Sequence, residues 1–237
     1  MSYLSVMYDE QEKPVTQYPE QLIDHLCSRF TMPDQACVLD TGCGRGDFAL
    51  AFVNRPEVEY VFAGDKDFES IPEHIKCHKN IICDYAYFDE EDWKNYEKPH
   101  HLLTKDNSFD VIFSKSVIEH LKNPEHYLSE CLRVLKPGGQ FILLTPDWIS
   151  QHTIFYNDPT HCHPYTVEGV SNSMKMAGFA SVKAEKFYQV PIVWKHPIVK
   201  VVCRLLQLLI PVHWGIKNHF IRFSIEHMVL GTGTKRG

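Results

Sequence analysis

Several features are missing from this sequence, and each absence narrows what the chain can be. No apolar run reaches the length that spans a bilayer, so a transmembrane segment is not expected. None of the eight cysteines is spaced CxxC, which removes the commonest redox and zinc signatures. Basic charge is scarce as well: 24 Lys and Arg against 30 Asp and Glu leave a net −6. That balance offers no electrostatic footprint for wrapping nucleic acid. An NPPY-type amide motif for an exocyclic amine is also lacking, so nucleic-acid partners are not expected. There is no internal repeat and no low-complexity stretch.

What is present describes an ordinary folded domain. A hydrophobic share of 44% with 23% charged residues excludes disorder, and 237 residues suit one generous domain. The opening stretch "MSYLSVMYDEQEKP" turns acidic before an apolar core develops, so no secretory signal is read there. The expectation is a cytoplasmic protein with reduced thiols, in which Cys27, Cys37 and Cys131 act as small buried hydrophobes.

Alternation of strands and helices is the main pattern. "YPEQLIDHLCSRF" spaces Leu22, Leu26 and Phe30 four apart and predicts a helix. "ACVLD", "VEYVFAGD", "KNIICD", "FDVIFSK" and "QFILLTPD" read as five strands, with "GDFALAFVNRP" a helix stopped by Pro56. After an acidic, aromatic loop and the fourth strand, "NPEHYLSECLRVLKPGG" is signalled as a helix by Asn123 as cap and Pro124 at its first position. It should run to Lys136, where Pro137 and Gly138 stop it. Then come a helix in "YTVEGVSNSMKMAGF", a strand in "SVKAEKFYQV" and a last strand in "SIEHMVLGTGTK". This order argues for an α/β fold with a doubly wound, mostly parallel sheet covered on both faces. One domain over 1–237 is expected: an N-terminal helical region (1–35), a cofactor-binding half (36–150), a substrate loop, helix and strand (151–190), an apolar insertion (191–223) and the last strand with a tail (224–237).

The stretch "VLDTGCGRGDFAL" carries the chemistry. Glycines at the first strand-to-helix turn let the backbone reverse and approach a ligand. A dinucleotide turn is GxGxxG, with the pyrophosphate on the helix N-terminus. Here the glycines are Gly42, Gly44 and Gly46, and Asp47 stands where the third glycine should fall. A carboxylate there repels a pyrophosphate, and the turn lacks the lysine and hydroxyl of a P-loop. A ligand without phosphates and with positive charge fits better. Asp65 ends the second strand about 20 residues beyond Gly46, the reach at which a carboxylate takes ribose hydroxyls. A ribose without a pyrophosphate points to an adenosyl cofactor.

With "VLDTGCGRG", "VFAGDKD", "IICDY", "FDVIFSKSVIEHL" and "LRVLKPGGQFILLTPD" in order from Val38 to Phe179, the sequence resembles the class I S-adenosylmethionine-dependent methyltransferases. The likeness is to the branch that includes ubiquinone and small-molecule O-methyltransferases. It implies a Rossmann-like sheet of seven strands whose final strand is antiparallel, with the helical insertion just before it. S-adenosyl-L-methionine is the implied cofactor. Asp40, Gly42, Gly44 and Gly46 would form the turn that cradles its methionine end, with Asp65 and the neighbouring Lys66 at the ribose. Asp84 and Tyr85 would meet the adenine, and Ser114, Lys115 and Ser116 would pass close to the sulfonium.

Methylation of a hydroxyl needs a base, and histidine is the natural candidate. "NDPTHCHPYT" follows the fifth strand and offers His161 and His163 with Asp158 to orient them and Tyr165 to line the acceptor pocket; Trp148 just upstream is a further acceptor contact. Structural capping is the competing reading of this stretch, and an HxH beside a carboxylate can also ligate a metal. "SVIEHL" supplies Glu119 and His120 as a second candidate pair. Some ubiquinone-type relatives place metal ligands there, but the acidic partner one turn earlier is Ser116 here, so no metal is expected. In sequences that this one is similar to, "DPTH" followed by an aromatic and Thr recurs in methyltransferases of surface polysaccharide and glycan pathways.

The apolar insertion, "PIVWKHPIVKVVCRLLQLLIPVHWGIKNHFIRF", puts Lys200 and Arg204 on one helical face with aliphatics over the rest. It reads as a lid, an interfacial helix resting on the inner face of a membrane, a dimer contact, or a core helix under the last strand. The expected activity is methylation of a small molecule, at a hydroxyl of a sugar or glycan precursor. The alternatives are a lipid or quinone-like acceptor at the membrane surface, or a non-catalytic adenosyl-binding subunit. Oligomeric state is not readable.

Overall fold

The computed structural model describes residues 16–86, 88 and 105–237; the opening acidic stretch and most of the loop expected after the third strand lie outside the described residues. Helix α1 (Tyr18–Cys27) precedes strand β1 (Ala36–Thr41), followed by α2 (Asp47–Val53), β2 (Val58–Asp65), α3 (Glu73–Lys76), β3 (Ile81–Tyr85) and β4 (Phe109–Lys115). Then come α4 (Pro124–Val134), β5 (Leu135–Pro146), α5 (Trp148–Gln151), α6 (Val167–Met176) and β6 (Ala180–Phe187). The expected insertion follows as α7 (Pro191–Lys195), α8 (Val199–Leu209) and α9 (His219–Ile225), and β7 (Met228–Thr234) closes the chain.

The strands form one seven-stranded sheet in the order β3-β2-β1-β4-β5-β7-β6. Strands β1 to β5 are mutually parallel where they pair, and β7 runs antiparallel to both β5 and β6, as the resemblance implied. Successive side chains of a strand point to opposite faces, and the two cores divide accordingly. Leu39, Phe62, Ile112, Leu143 and Val229 pack with α4 and α6, while Val38, Val61, Phe113, Leu144 and Leu230 pack with α1, α2 and α3. Each such fully buried side chain contributes about 1.5–3 kcal/mol. Both faces therefore need helices, and helices on both faces leave the C-terminal ends of the parallel strands as the open edge. Strand order reverses between β1 and β4, and the crevice between their ends is where such sheets take ligands.

Local signals set most boundaries. Asn123 Oδ1 accepts from the His126 backbone N–H and opens α4; Thr166 Oγ1 accepts from Gly169 and opens α6. Two boundaries differ from expectation. Helix α4 ends at Val134, before Lys136, because Leu135 already pairs with Phe109 and the "KPGG" stretch belongs to β5, where Gly138 adopts a φ of 78° and its N–H donates to Lys235. "SIEH" is not part of the last strand: Ser224 and Ile225 end α9, and pairing starts at Met228.

The insertion is not a core helix under the last strand. It keeps a small cluster of its own, Tyr188, Val190, Val193 and Cys203, and leaves most of α8 exposed. The three cysteines expected to be buried are so, and burial raises all three thiols.

Gly231 in β7 lets α6 lie against the sheet, since a Cβ there would fall 2.6 Å from Val170 Cγ1 and 2.8 Å from Met174 Sδ. Gly231→Ala should lower stability by about 1–3 kcal/mol, read as a lower urea midpoint at unchanged slope.

Candidate functional site

The glycine turn after β1 sits in that crevice. Gly42 and Cys43 donate their N–H groups to the Gly64 carbonyl, and Gly44 N–H donates to Asp65 Oδ2 at 2.7 Å. Asp65 Oδ1 accepts from Asp67, so this one carboxylate ties the turn after β1 to the turn after β2. All three glycines have positive φ, between 56° and 77°. At Gly42 a Cβ would lie 2.5 Å from Val117 Cγ2, whereas at Gly44 it would meet nothing within 4 Å. Gly42 is needed for packing; Gly44 faces open space.

Asp40, at the end of β1, is buried and its Oδ2 has no hydrogen-bond partner. Burial holds this carboxyl well above the usual carboxylate range, and Asp65 and Asp47 push the same way against an opposing Ala49 backbone hydrogen bond. At the end of β3, Asp84 Oδ1 accepts from the Tyr85 N–H. The N-terminal half of the site is therefore a glycine turn ringed by carboxylates.

Beyond β4 the chain turns sharply at Ser116, a non-glycine residue with φ 57° whose N–H donates to Leu144. Such strain is held in place only by its surroundings. Ser114 is fully buried and its hydroxyl accepts from Tyr127, which also bonds Thr41 Oγ1 at 2.7 Å. Lys115 lies over the Phe48 ring, and burial lowers its ammonium while Glu119 opposes that. The turn delivers Glu119 and His120 to the site edge.

Five residues from two segments, Glu119 and His120 with Asp158, Thr160 and His161, meet there. The Glu119 carbonyl accepts from the N–H groups of Cys162 (2.7 Å) and His163 (3.1 Å), which pins the "DPTHCH" loop against the 118–120 turn. Asp158 Oδ1 accepts from the Thr160 N–H (2.9 Å) and hydroxyl (2.7 Å), and Thr160 Oγ1 bonds His120 Nδ1 at 2.8 Å. With the hydroxyl proton committed to the carboxylate, Thr160 accepts, so His120 carries its hydrogen on Nδ1. His161 Nδ1 lies 2.6 Å from the Phe155 carbonyl, which can only accept, so His161 has the same tautomer. The two rings lie 4.7 Å apart between centroids, and His161 keeps its lone pair on Nε2. Glu119 is fully buried, with Oε2 accepting from Thr145 and Oε1 unpartnered; burial lifts its carboxyl to about 7. One ligand atom from each of Glu119, His120 and His161 lies within 4.8 Å of the others, a set able to hold a cation. Burial and the His161 ring lower His120 to about 4, and the charge of Lys66 adds to that effect from the end of β2.

Asp158 does not orient His161 or His163 as expected. Asp158 orients His120 through Thr160 and stands 3.8 Å from His161 Nε2, beyond hydrogen-bonding distance. His163 is not brought to this cluster: it lines a cavity with Tyr165, Pro124, Glu125 and Leu128, while the turn closed by the His161 N–H on the Asp158 carbonyl and the bond to the Phe155 carbonyl hold the His161 ring in the cluster. Trp148 packs with Phe155 and Tyr156, and Phe155 in turn touches His161. Thr160 and Phe155 did not stand out in the sequence. Thr160 had a signal, its place two residues after an Asp in a turn; Phe155 acts through its backbone and had none.

Residues 15–184 match the family described as a methyltransferase domain. The chain belongs to that family. A probable S-adenosylmethionine-dependent methyltransferase of Mycolicibacterium smegmatis is 32% identical over 60% of this chain and 51% of its own length. The 27-O-demethylrifamycin SV methyltransferase of Amycolatopsis mediterranei is 25% identical over 57% of this chain and 48% of its own length. The chain thus spans about half the length of the curated relatives it matches. Among solved structures, phosphoethanolamine N-methyltransferase 2 of Haemonchus contortus, in complex with S-adenosyl-L-methionine, shares the fold: TM-score 0.66 and 15% identity over 100% of this chain and 60% of that one.

S-adenosylmethionine is the cofactor of this domain, and the turn fits it: open space at Gly44 admits a ligand against the backbone, and unpartnered Asp40 among further carboxylates suits a cationic one. Asp65→Ala should weaken S-adenosylhomocysteine binding at least about tenfold by calorimetry, while His161→Ala leaves it within about twofold, because only the first opens the turn.

The buried pair also sets a pH dependence. Glu119, raised above its ordinary value, favours folding while protonated, and that contribution is lost as pH rises from about 4.5 through about 7. His120, depressed, contributes at neutral pH and is lost as pH falls from about 6.5 towards 4. Glu119→Gln removes the first and keeps the second. Relative to wild type, its stability should climb between pH 5 and 7.5 by up to roughly 3 kcal/mol, measured by urea denaturation at both values.

Proposed function

We propose that this domain methylates a hydroxyl oxygen of a small molecule, a sugar or glycan precursor, with His161 Nε2 as the general base. The observation that carries this reading is the hydrogen bond from His161 Nδ1 to the Phe155 carbonyl, which leaves the lone pair on Nε2, next to the His120 ring. The bound cofactor supplies an electrophilic methyl group on a sulfonium. His161 takes the hydroxyl proton as the oxygen is methylated. His120, held neutral by its surroundings and aimed by Thr160 and Asp158, accepts a hydrogen bond from the acceptor and positions it. Alignment and exclusion of water do much of the remaining work, and Trp148 with Tyr156 offers the aromatic surface that sugars favour.

The "DPTH" pattern supports the glycan acceptor by resemblance, and the rifamycin enzyme among the relatives is by name an O-demethyl-substrate methyltransferase. A lipid or quinone-like acceptor is the rival, and a non-catalytic subunit the rival of another kind. A screen of sugar-nucleotide, glycan and quinol acceptors with radiolabelled S-adenosylmethionine separates them. His161→Ala should reduce kcat by about 10²–10⁴-fold with the cofactor KM little changed, and His163→Ala by less than about threefold. Equal losses in both variants would remove His161 from the role of base. Inactivation of the wild type by a chelator, reversed by a divalent cation, would assign proton removal to a metal on Glu119, His120 and His161.

A further inference from the structure

We infer that the 191–222 segment docks the protein on an anionic lipid surface. Helix α8 buries Cys203 alone. At about 100° per residue, Leu208, Val201, Leu205, Leu209 and Val202 occupy an arc opposite Cys203, and all five are exposed, Leu208 at 81% and Leu209 at 74%. Ile198 (76%), Trp214 (61%), Ile192 and Phe220 extend the apolar surface to either side. Of the twelve large hydrophobics that stand exposed among the described residues, nine belong to this one segment. Contiguous exposure on this scale marks a contact surface.

Charge identifies what it contacts. From Pro191 to Ile225 there is no Asp or Glu, while Lys195, Lys200, Arg204 and Lys217 are exposed, in a chain whose net charge is −6; Arg222, also exposed, pairs with Glu226 at 2.9 Å. On α8, Lys200 and Arg204 lie at one margin of the apolar arc, between it and the buried side, where lysine and arginine heads reach phosphates as the aliphatic side chains enter the acyl boundary. The rest of the protein is acidic, so an anionic bilayer attracts this face and repels the others. A second copy fits less well: a two-fold contact sets the same patch against itself, basic against basic.

The segment is firmly seated on the domain. Trp194 Nε1 donates to the Tyr188 carbonyl at 2.7 Å, and its ring stacks on His25 of α1 at 4.8 Å. It also lies at the site's own edge, because it leaves the sheet at Phe187 and re-enters at Met228, and Met228 pairs with Pro146 at the C-terminal end of β5. A docked protein presents the edge that carries the glycine turn to the lipid, within reach of an acceptor held by a lipid carrier.

Flotation with vesicles tests the docking. Wild type should float with phosphatidylcholine vesicles containing about 30% phosphatidylglycerol, at least about fivefold more than with phosphatidylcholine alone. Leu205→Glu with Leu208→Glu, and Lys200→Glu with Arg204→Glu, should each cut the bound fraction about tenfold. All of these side chains are exposed, so the folded state should survive; S-adenosylhomocysteine affinity, measured in parallel, verifies this and tests the methyl-transfer reading separately. Absence of flotation, or flotation unaffected by both double variants, overturns the inference. So does a dimer by sedimentation equilibrium that Leu205→Glu dissociates, which would make the face a contact between copies.

Discussion

Negative charge gathered on one backbone turn is the constraint from which the rest of this site follows. Asp40 is buried with an unpartnered oxygen, and Asp47 and Asp65 stand near enough to raise its pKa further. Burying a carboxyl without a partner is costly, and it is retained where function needs it. A cationic ligand relieves that cost, and a pyrophosphate adds to it. The same carboxylates that make the turn a poor nucleotide site make it a good one for an adenosyl sulfonium. Asp65 also holds the turn in shape through its bond to the Gly44 N–H.

The reacting half of the site rests on a backbone clamp. Two N–H groups of the 158–163 loop reach the Glu119 carbonyl, and without them His161 and His120 would belong to independent segments. Each histidine then has its Nδ1 hydrogen taken, one by a carbonyl and one by a hydroxyl that serves Asp158. Burial keeps His120 neutral at physiological pH and raises the Glu119 carboxyl to about 7, while the Asp158 carboxylate and the charge of Lys66 act on the same histidine with opposite sign.

Strand topology joins these halves to the insertion. Because β7 is antiparallel, the chain between β6 and β7 must emerge at the edge where the parallel strands end. Residues spent there form a mostly exposed amphipathic helix on a segment that leaves and re-enters the sheet at that edge.

Much of this was legible in the sequence, since it depends on short-range spacing. Periodicity of two separated strands from helices, glycines at 42, 44 and 46 marked the turn, and the order of motifs implied the seven-stranded sheet. The tertiary structure decided what depends on long-range contact. It put His161 in the cluster with His120 and His163 in a separate cavity, gave Asp158 to His120 by way of Thr160, buried Glu119, ended α4 early through the pairing of Leu135 with Phe109, and left α8 outside the core. A sequence states which side chains alternate and which lie a turn apart. Which of them meet across forty residues is set by the strand ends that the sheet brings together.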